Sequence, residues 1–149
     1  MKTVKFTIKT EEEMINLGQR IGALVYPNMV ITMNGNLGAG KTTITKGIGK
    51  AMGIKRVINS PTFTIMKIYE GILNLYHLDV YRIENSDSDF ELEEYFYMGG
   101  VSVIEWSNNI KELIPEDAIS LDFEIMEDAS RTVTIVGPKS FIEKLETGE

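Results

Sequence analysis

The run Gly35-Asn36-Leu37-Gly38-Ala39-Gly40-Lys41-Thr42 carries the spacing G-x-x-x-x-G-K-[ST] in full. Each residue type in it answers a requirement of holding phosphate. Glycines let the backbone curl until several N–H groups converge on an anion, through conformations that a Cβ obstructs. A helix starting at Lys41 adds its positive N-terminal end. Lys41 supplies a flexible point charge for β- and γ-phosphates, and the Thr42 hydroxyl is of the kind that ligates Mg²⁺. Such a loop requires a buried strand before it and a helix after it. Met29-Val30-Ile31-Thr32-Met33 is a short, nearly continuous apolar run, the mark of a strand covered on both faces. From Lys41 to about Met52 the pattern is helical, with Ile44 and Ile48 in register and Gly53 as the stop.

Magnesium–nucleotide chemistry also calls for an acid at the C-terminal end of a neighbouring strand, where open α/β sheets bind ligands. Two segments offer one. In Leu75-Tyr76-His77-Leu78-Asp79, alternation places His77 and Asp79 on one face, with Asp79 near the strand end. In Val101-Ser102-Val103-Ile104-Glu105-Trp106, Glu105 closes an apolar run. Periodicity does not choose between them. His77 suits a structural or supporting role better than a catalytic one. The polar, Pro-broken stretch Asn59-Ser60-Pro61-Thr62-Phe63-Thr64 reads equally as a plain loop or as a switch offering the Ser60, Thr62 and Thr64 hydroxyls to a γ-phosphate or its metal.

The remaining elements must carry these residues. Val4, Phe6 and Ile8 alternate as a strand. Thr10-Glu11-Glu12-Glu13 is a capping box opening a helix whose stripe is Met14, Leu17, Ile21, Leu24 and Val25, expected to pack on a sheet. Strands are expected over 62–69 and 73–80, joined as a hairpin around Glu70-Gly71. A short helix is expected near 90–97 and another over 108–114, closed by Pro115. The strands 119–125 and 132–136 pair across Glu127-Asp128-Ala129-Ser130, and Gly137-Pro138 starts a last helix with Pro138 in its first position. Strands alternating with helices, then antiparallel pairs, predict an α/β fold with a mixed β-sheet and flanking helices.

The chain has 149 residues, 43% hydrophobic and 25% charged, the size and composition of one domain spanning 1–149. It has no cysteine, which excludes disulfides, thiolate metal sites and thiol catalysis. A net charge of −7 repels a polyanion and disfavours independent DNA or RNA binding. No apolar run reaches membrane-spanning length and the N-terminus does not read as a signal peptide, so a soluble cytoplasmic protein with no membrane partner is expected.

Taken in series, these motifs resemble the TsaE/YjeE family of small bacterial P-loop ATPases required for threonylcarbamoyladenosine (t6A) modification of tRNA. The resemblance rests on Asn34 through Thr43, Ser60-Pro61-Thr62-Phe63-Thr64, His77-Leu78-Asp79-Val80-Tyr81-Arg82, Glu94-Tyr95-Phe96 and Val103-Ile104-Glu105-Trp106. It implies a P-loop NTPase-like fold and ATP with Mg²⁺ as cofactors. Thr42 and Glu105 would hold the metal, Asp79 would act near the γ-phosphate or attacking water, and Ser60 to Thr64 would form a switch. Nucleotide contacts would come from Gly35 through Thr43, with Trp106 beside them and Thr10 and Arg131 at the adenine. Homologues of TsaB and TsaD are the implied partners, with tRNA reached only through the assembled complex. Where the family has Leu-Gly ahead of Glu-Tyr-Phe, this chain has Phe90-Glu91.

Rival readings are a small P-loop kinase and a nucleotide-gated docking module. A kinase needs an Arg-rich lid, whereas Arg56, Arg82 and Arg131 are widely separated. A regulatory GTPase needs an N-K-x-D segment, which is missing. A docking module would use the same residues as a slow ATPase.

Overall fold

A computed structural model describes residues 1–36, 38–59, 66–80 and 93–148, apart from the side chains of residues 108 and 109. Expected features at Leu37, Ser60, Thr62, Thr64, Arg82 and Phe90-Glu91 therefore lie outside the described residues. So do the first part of the strand expected over 62–69 and of the helix expected near 90–97, of which residues 93–95 form one helical turn.

Among the described residues seven strands form one sheet, in chain order β1 (Lys2–Ile8), β2 (Met29–Asn34), β3 (Met66–Tyr69), β4 (Leu75–Asp79), β5 (Val101–Glu105), β6 (Ile119–Ile125) and β7 (Arg131–Gly137), and in spatial order β1-β7-β6-β2-β5-β4-β3. The central strands β6, β2, β5 and β4 run parallel. Beyond them β7 is antiparallel to β6, β1 antiparallel to β7, and β3 antiparallel to β4. The mixed α/β sheet read from the sequence is thus observed, including both hairpins. As predicted for a strand covered on both faces, Met29 through Met33 are all buried.

One core lies between the sheet and the helices α1 (Glu11–Gly22), α2 (Lys41–Ala51) and α3 (Lys139–Thr147), and includes Ile21, Ile31, Ile44, Ile48, Val103 and Ile135. A second, on the opposite face, gathers Val30, Tyr76, Leu78, Phe96, Ile104 and Ile110. In β4 and β5 the parity is therefore strict: Leu75, Val101 and Val103 face the helices, whereas Tyr76, Leu78 and Ile104 face away.

Thr10 caps α1 as expected, its Oγ1 accepting the Glu13 N–H at 3.1 Å. The helix ends at Gly22, so Leu24 and Val25 pack on the core from the following turn instead of continuing the stripe. The face of α1 also meets more than a sheet. A Cβ on Gly18 would stand 2.2 Å from the Ile44 carbonyl oxygen, and one on Gly47 2.2 Å from the Ile15 carbonyl oxygen. The two helices thus touch almost backbone to backbone. The segment expected to be helical over 108–114 is a 3-10 stretch, Ser107–Leu113, kinked at Ile110. Pro138 precedes α3 at its cap instead of occupying its first turn, with an extended ψ of 142°. Among the described residues no helix is long and apolar enough to cross a membrane.

The α1–α2 contact is checked by Gly18→Ala. The added methyl must displace backbone, so denaturant unfolding should show a loss of about 1–3 kcal/mol, in spite of the better helix propensity of alanine.

Candidate phosphate-binding site

The loop from β2 to α2 needs glycine at defined points. Gly38 and Gly40 adopt φ of 80° and 111°, the left-handed region that a side chain disfavours. A Cβ on Gly40 would also meet the Met14 methyl at 2.6 Å, whereas one on Gly38 would meet nothing within 4 Å. Gly40 is the N-cap of α2 and supplies no side-chain bond to its first turn. The opening N–H groups of α2, which have no intrahelical acceptors, are thereby left for another acceptor. Helix α1, by contrast, closes its own N-terminus with Thr10.

Lys41 is only 4% exposed. Its Nζ donates to the Gly35 carbonyl at 2.7 Å, lies 3.8 Å from Glu105 Oε1, and sits over the Trp106 ring at 4.1 Å from its centre. The opposite carboxylate oxygen of Glu105, Oε2, is 2.7 Å from His77 Nε2. His77 is fully buried and its Nδ1 has no hydrogen-bond partner. The proton is therefore best placed on Nε2, donated to the carboxylate, with Nδ1 left as the unprotonated nitrogen.

Register explains how distant residues meet. Glu105 pairs with Met33 on one side and Asp79 on the other, so the phosphate loop and both candidate acids occupy one line at the C-terminal end of the parallel strands. Parity then turns His77 and Glu105 to the helix side of the sheet, where α2 begins. Beyond Glu105, the Trp106 N–H continues the ladder to the Met33 carbonyl at 3.2 Å, and Trp106 itself adopts φ 64°. This left-handed residue ends the strand and returns the indole over Lys41, while the same side chain packs against the second core. Ser107 follows, its Oγ donating to Asn34 Oδ1 at 3.3 Å.

Beside the loop lies a cleft of about 250 Å³, lined among others by Thr10, Gly38, Ala39, Gly40, Thr43 and Arg131. Its existence follows from strand direction, because Ile8 at the end of β1 pairs with Arg131 at the start of β7. Arg131 donates to the Gly38 carbonyl at 3.2 Å and to Ala129 O. The structure thus gathers Thr10, Gly38, Ala39, Gly40, Thr43 and Arg131 around one opening, with Lys41, Glu105 and Trp106 together on the other flank of the loop.

Several residues at the site were not singled out by sequence reasoning. Met14 supports Gly40 from α1, Thr45 Oγ1 donates to the Lys41 carbonyl at 2.7 Å, and Ser107 donates to Asn34. Met14 was visible only as one apolar residue of a stripe, and nothing in the spacing of Thr45 or Ser107 marks a contact. Asn59, the last described residue before 60–65, is held by the buried Tyr69, whose hydroxyl lies 3.3 Å from both its N–H and its carbonyl.

A glycine loop between a central parallel strand and a helix, with a lysine at the helix start and an acid ending the adjacent strand, defines the phosphate-loop class of α/β proteins. Comparison with known proteins narrows the class. Residues 8–133 match the family described as "Threonylcarbamoyl adenosine biosynthesis protein TsaE", and the chain belongs to that family. It is 42% identical over 135 residues to the tRNA threonylcarbamoyladenosine biosynthesis protein TsaE of Bacillus subtilis, covering 90% of this chain and 85% of that one. It is 34% identical to the protein of the same name from Treponema pallidum, covering 85% and 96%. The crystal structure of Bacillus subtilis YdiB superposes with a TM-score of 0.86 at 34% identity, over 98% of this chain and 95% of that one.

Burial pushes the Lys41 ammonium below the ordinary lysine value, while the Glu105 and Asp79 carboxylates pull it part of the way back. Between the folded and unfolded values the unfolded chain holds the proton that the folded one has shed, so stability rises with pH through that window. With lysine side-chain labels, Lys41 should titrate below a free lysine by NMR. Glu105→Gln should lower it further, and an unshifted or raised value would contradict the burial argument.

Proposed function

We infer that this chain is the ATP-binding and ATP-hydrolysing subunit of a tRNA t6A-modifying assembly, coupling hydrolysis to turnover of TsaB and TsaD homologues. The observation that carries the reading is the buried array Lys41–Glu105–His77 at the open N-terminus of α2. A helix N-terminus that carries one buried lysine stands beside a fixed carboxylate, as binding a phosphate chain together with a cation requires.

The donor set fits Mg²⁺. Thr42 stands on the first turn of α2 and Glu105 ends β5, a hard hydroxyl and a hard carboxylate of the kind that hold this ion together with substrate phosphates. His77 engages Oε2 of Glu105, and Oε1 stands 3.8 Å from Lys41, beyond hydrogen-bond length. One carboxylate oxygen is thus oriented by the protein while the other faces the loop. When bound, the ion would neutralise charge on the phosphate oxygens.

In the reaction proposed, water adds to the γ-phosphorus, the bond to the β,γ-bridging oxygen breaks, and ADP and phosphate result. Lys41 would leave the Gly35 carbonyl for phosphate oxygens, and the loop amides would hold the phosphate chain. Asp79, at the end of β4, would orient the attacking water. The cleft bounded by Thr10 and Arg131 would take the base, and Trp106 would border the nucleotide from the other side. Catalysis here is positioning and charge neutralisation, so turnover by the chain alone is expected to be slow and to depend on its partners. The relatives' names place them in t6A biosynthesis, and the same role, in the cytoplasm, is proposed for this chain. Its negative charge suits an ATPase that meets tRNA only through the complex.

Steady-state Mg-ATP hydrolysis is measured for the chain alone and with TsaB, TsaD and tRNA. Strong stimulation by the partners is expected. Lys41→Ala should weaken nucleotide binding about 10- to 100-fold, the scale of a lost charge-assisted contact. Glu105→Ala should lower stimulated turnover by roughly 100-fold or more. If turnover is negligible throughout and Glu105→Ala still binds TsaB–TsaD in a nucleotide-dependent way, the chain is a nucleotide-gated docking module.

A further inference from the structure

Residues 14–69 contain seven lysines and arginines and no aspartate or glutamate, so all 22 acidic residues lie elsewhere in the chain. Folding turns this separation along the chain into one in space. Lys41 is spent in the phosphate site and Arg20 on the Leu145 carbonyl. The other five are Lys46 and Lys50 on α2, Lys55 and Arg56 on the loop after it, and Lys67 on β3. Among the described residues none of these five forms an ion pair, and all but Lys67 are exposed.

The same edge shows apolar surface. Ile72 is 84% exposed and Val57 74%. A Cβ on Gly53 would lie 3.5 Å from Ile72 Cγ1, which places Ile72 against the loop that carries Lys55 and Arg56. Lys55, Arg56 and Ile68 line one open depression with Gly53, Glu70 and Gly71. Exposed aliphatic side chains beside cations that form no ion pair, of which Arg56 also lies over the Tyr69 ring at 5.3 Å from its centre, mark an interaction surface, since each of the two features alone is better left dispersed in water.

We propose that this edge, formed by the end of α2, the loop 53–57 and β3, docks a protein partner whose surface presents carboxylates around an apolar centre. The aliphatic content favours protein over RNA: the patch displays Val57, Ile68 and Ile72, whereas its aromatic residue, Tyr69, is buried and cannot stack a base. Side chains and not strand addition make the contact, because a four-residue edge strand bearing a lysine is built to resist pairing. The partner proposed above, the TsaB–TsaD assembly, is the probe, and in that respect the inference rests on the proposed function.

The experiment measures affinity of the full-length chain for purified TsaB–TsaD, without tRNA, as a function of salt. Combined Lys46→Glu, Lys50→Glu and Lys55→Glu should weaken binding at least about tenfold near 0.15 M salt, with the gap narrowing at about 0.5 M. Combined Val57→Ser and Ile72→Ser should speed dissociation with little salt dependence. ATP affinity, read from Trp106 fluorescence, should stay within about twofold in both variants, which shows that they are folded. Variants that bind TsaB–TsaD like the wild type would overturn the docking surface and leave the ATPase reading standing. A wild type that does not bind TsaB–TsaD at all would sink the partner assignment and the docking surface with it. Loss of tRNA binding by the charge-reversed variant, with TsaB–TsaD binding unchanged, would make the edge an RNA surface instead. A wild-type dimer in sedimentation that the variants break would make it a contact between copies of this chain.

Discussion

A lysine ammonium that is 4% exposed has left nearly all of its water, and a charge so placed must be matched or the fold fails around it. Much of the architecture near the loop can be derived from that demand on Lys41. Its first partner, the Gly35 carbonyl, requires the loop to curl back on itself. Its second, Glu105, requires β5 to lie beside β2 in the register that sets Glu105 against Met33. Burying the Glu105 carboxylate raises the same demand again, and His77 on β4 meets it. One buried charge thus constrains a loop and three neighbouring strands. Arrays of this kind contribute little net stability, because desolvation consumes most of the attraction. Their effect is a field already oriented at the mouth of α2, where a phosphate would otherwise have to order the groups itself.

The loop can hold that geometry only if α2 is fixed in position. Helix α2 packs on the sheet and against α1, and its α1-facing side carries Gly47 opposite Gly18, with the Ile15 carbonyl standing where a Cβ on Gly47 would be and the Ile44 carbonyl where one on Gly18 would be. Contact this close leaves neither helix room to rotate. From α1, Met14 reaches beneath Gly40, so the helix that braces α2 also braces the turn that begins it. Inside α2, Thr45 bonds back to the Lys41 carbonyl and lies 3.6 Å from Met33 Sδ, tying the first helical turn to the strand that feeds it.

How much of this could be read in advance depended on whether the signal was local. The phosphate loop, its flanking strand and helix, the Thr10 cap and the two hairpins are written in short-range patterns, and all appear in the fold. The shared face of His77 and Asp79 follows from alternation alone. Contacts between elements are a different matter. Gly18 and Gly47 sit in apolar helices with nothing local to say that another backbone presses on them. Whether Glu105 or Asp79 stands nearer Lys41 is a question of strand order, which no single segment contains. Near Pro138 the local rule pointed to the first helical turn, whereas the chain arriving from β7 is still extended there and the helix begins one residue later. The 3-10 stretch after Trp106 likewise follows from a left-handed turn that the indole makes to cover Lys41.

The direction of the outer strands completes the site. The four parallel strands alone would bring Gly35, Asp79 and Glu105 to one end of the sheet, giving a loop with acids on one flank and nothing beyond β6. Adding β7 antiparallel to β6, then β1 antiparallel to β7, brings the start of β7 and the end of β1 to that same end. Arg131 and Thr10 arrive there as a pair, and α1 must begin beside the loop and not at the opposite end of the sheet. The helix that clamps α2 and the arginine that bonds Gly38 are therefore consequences of one topological choice. Reversing that outer pair of strands would leave the central strands paired as they are, yet it would strip the loop of both its brace and one wall of its cleft.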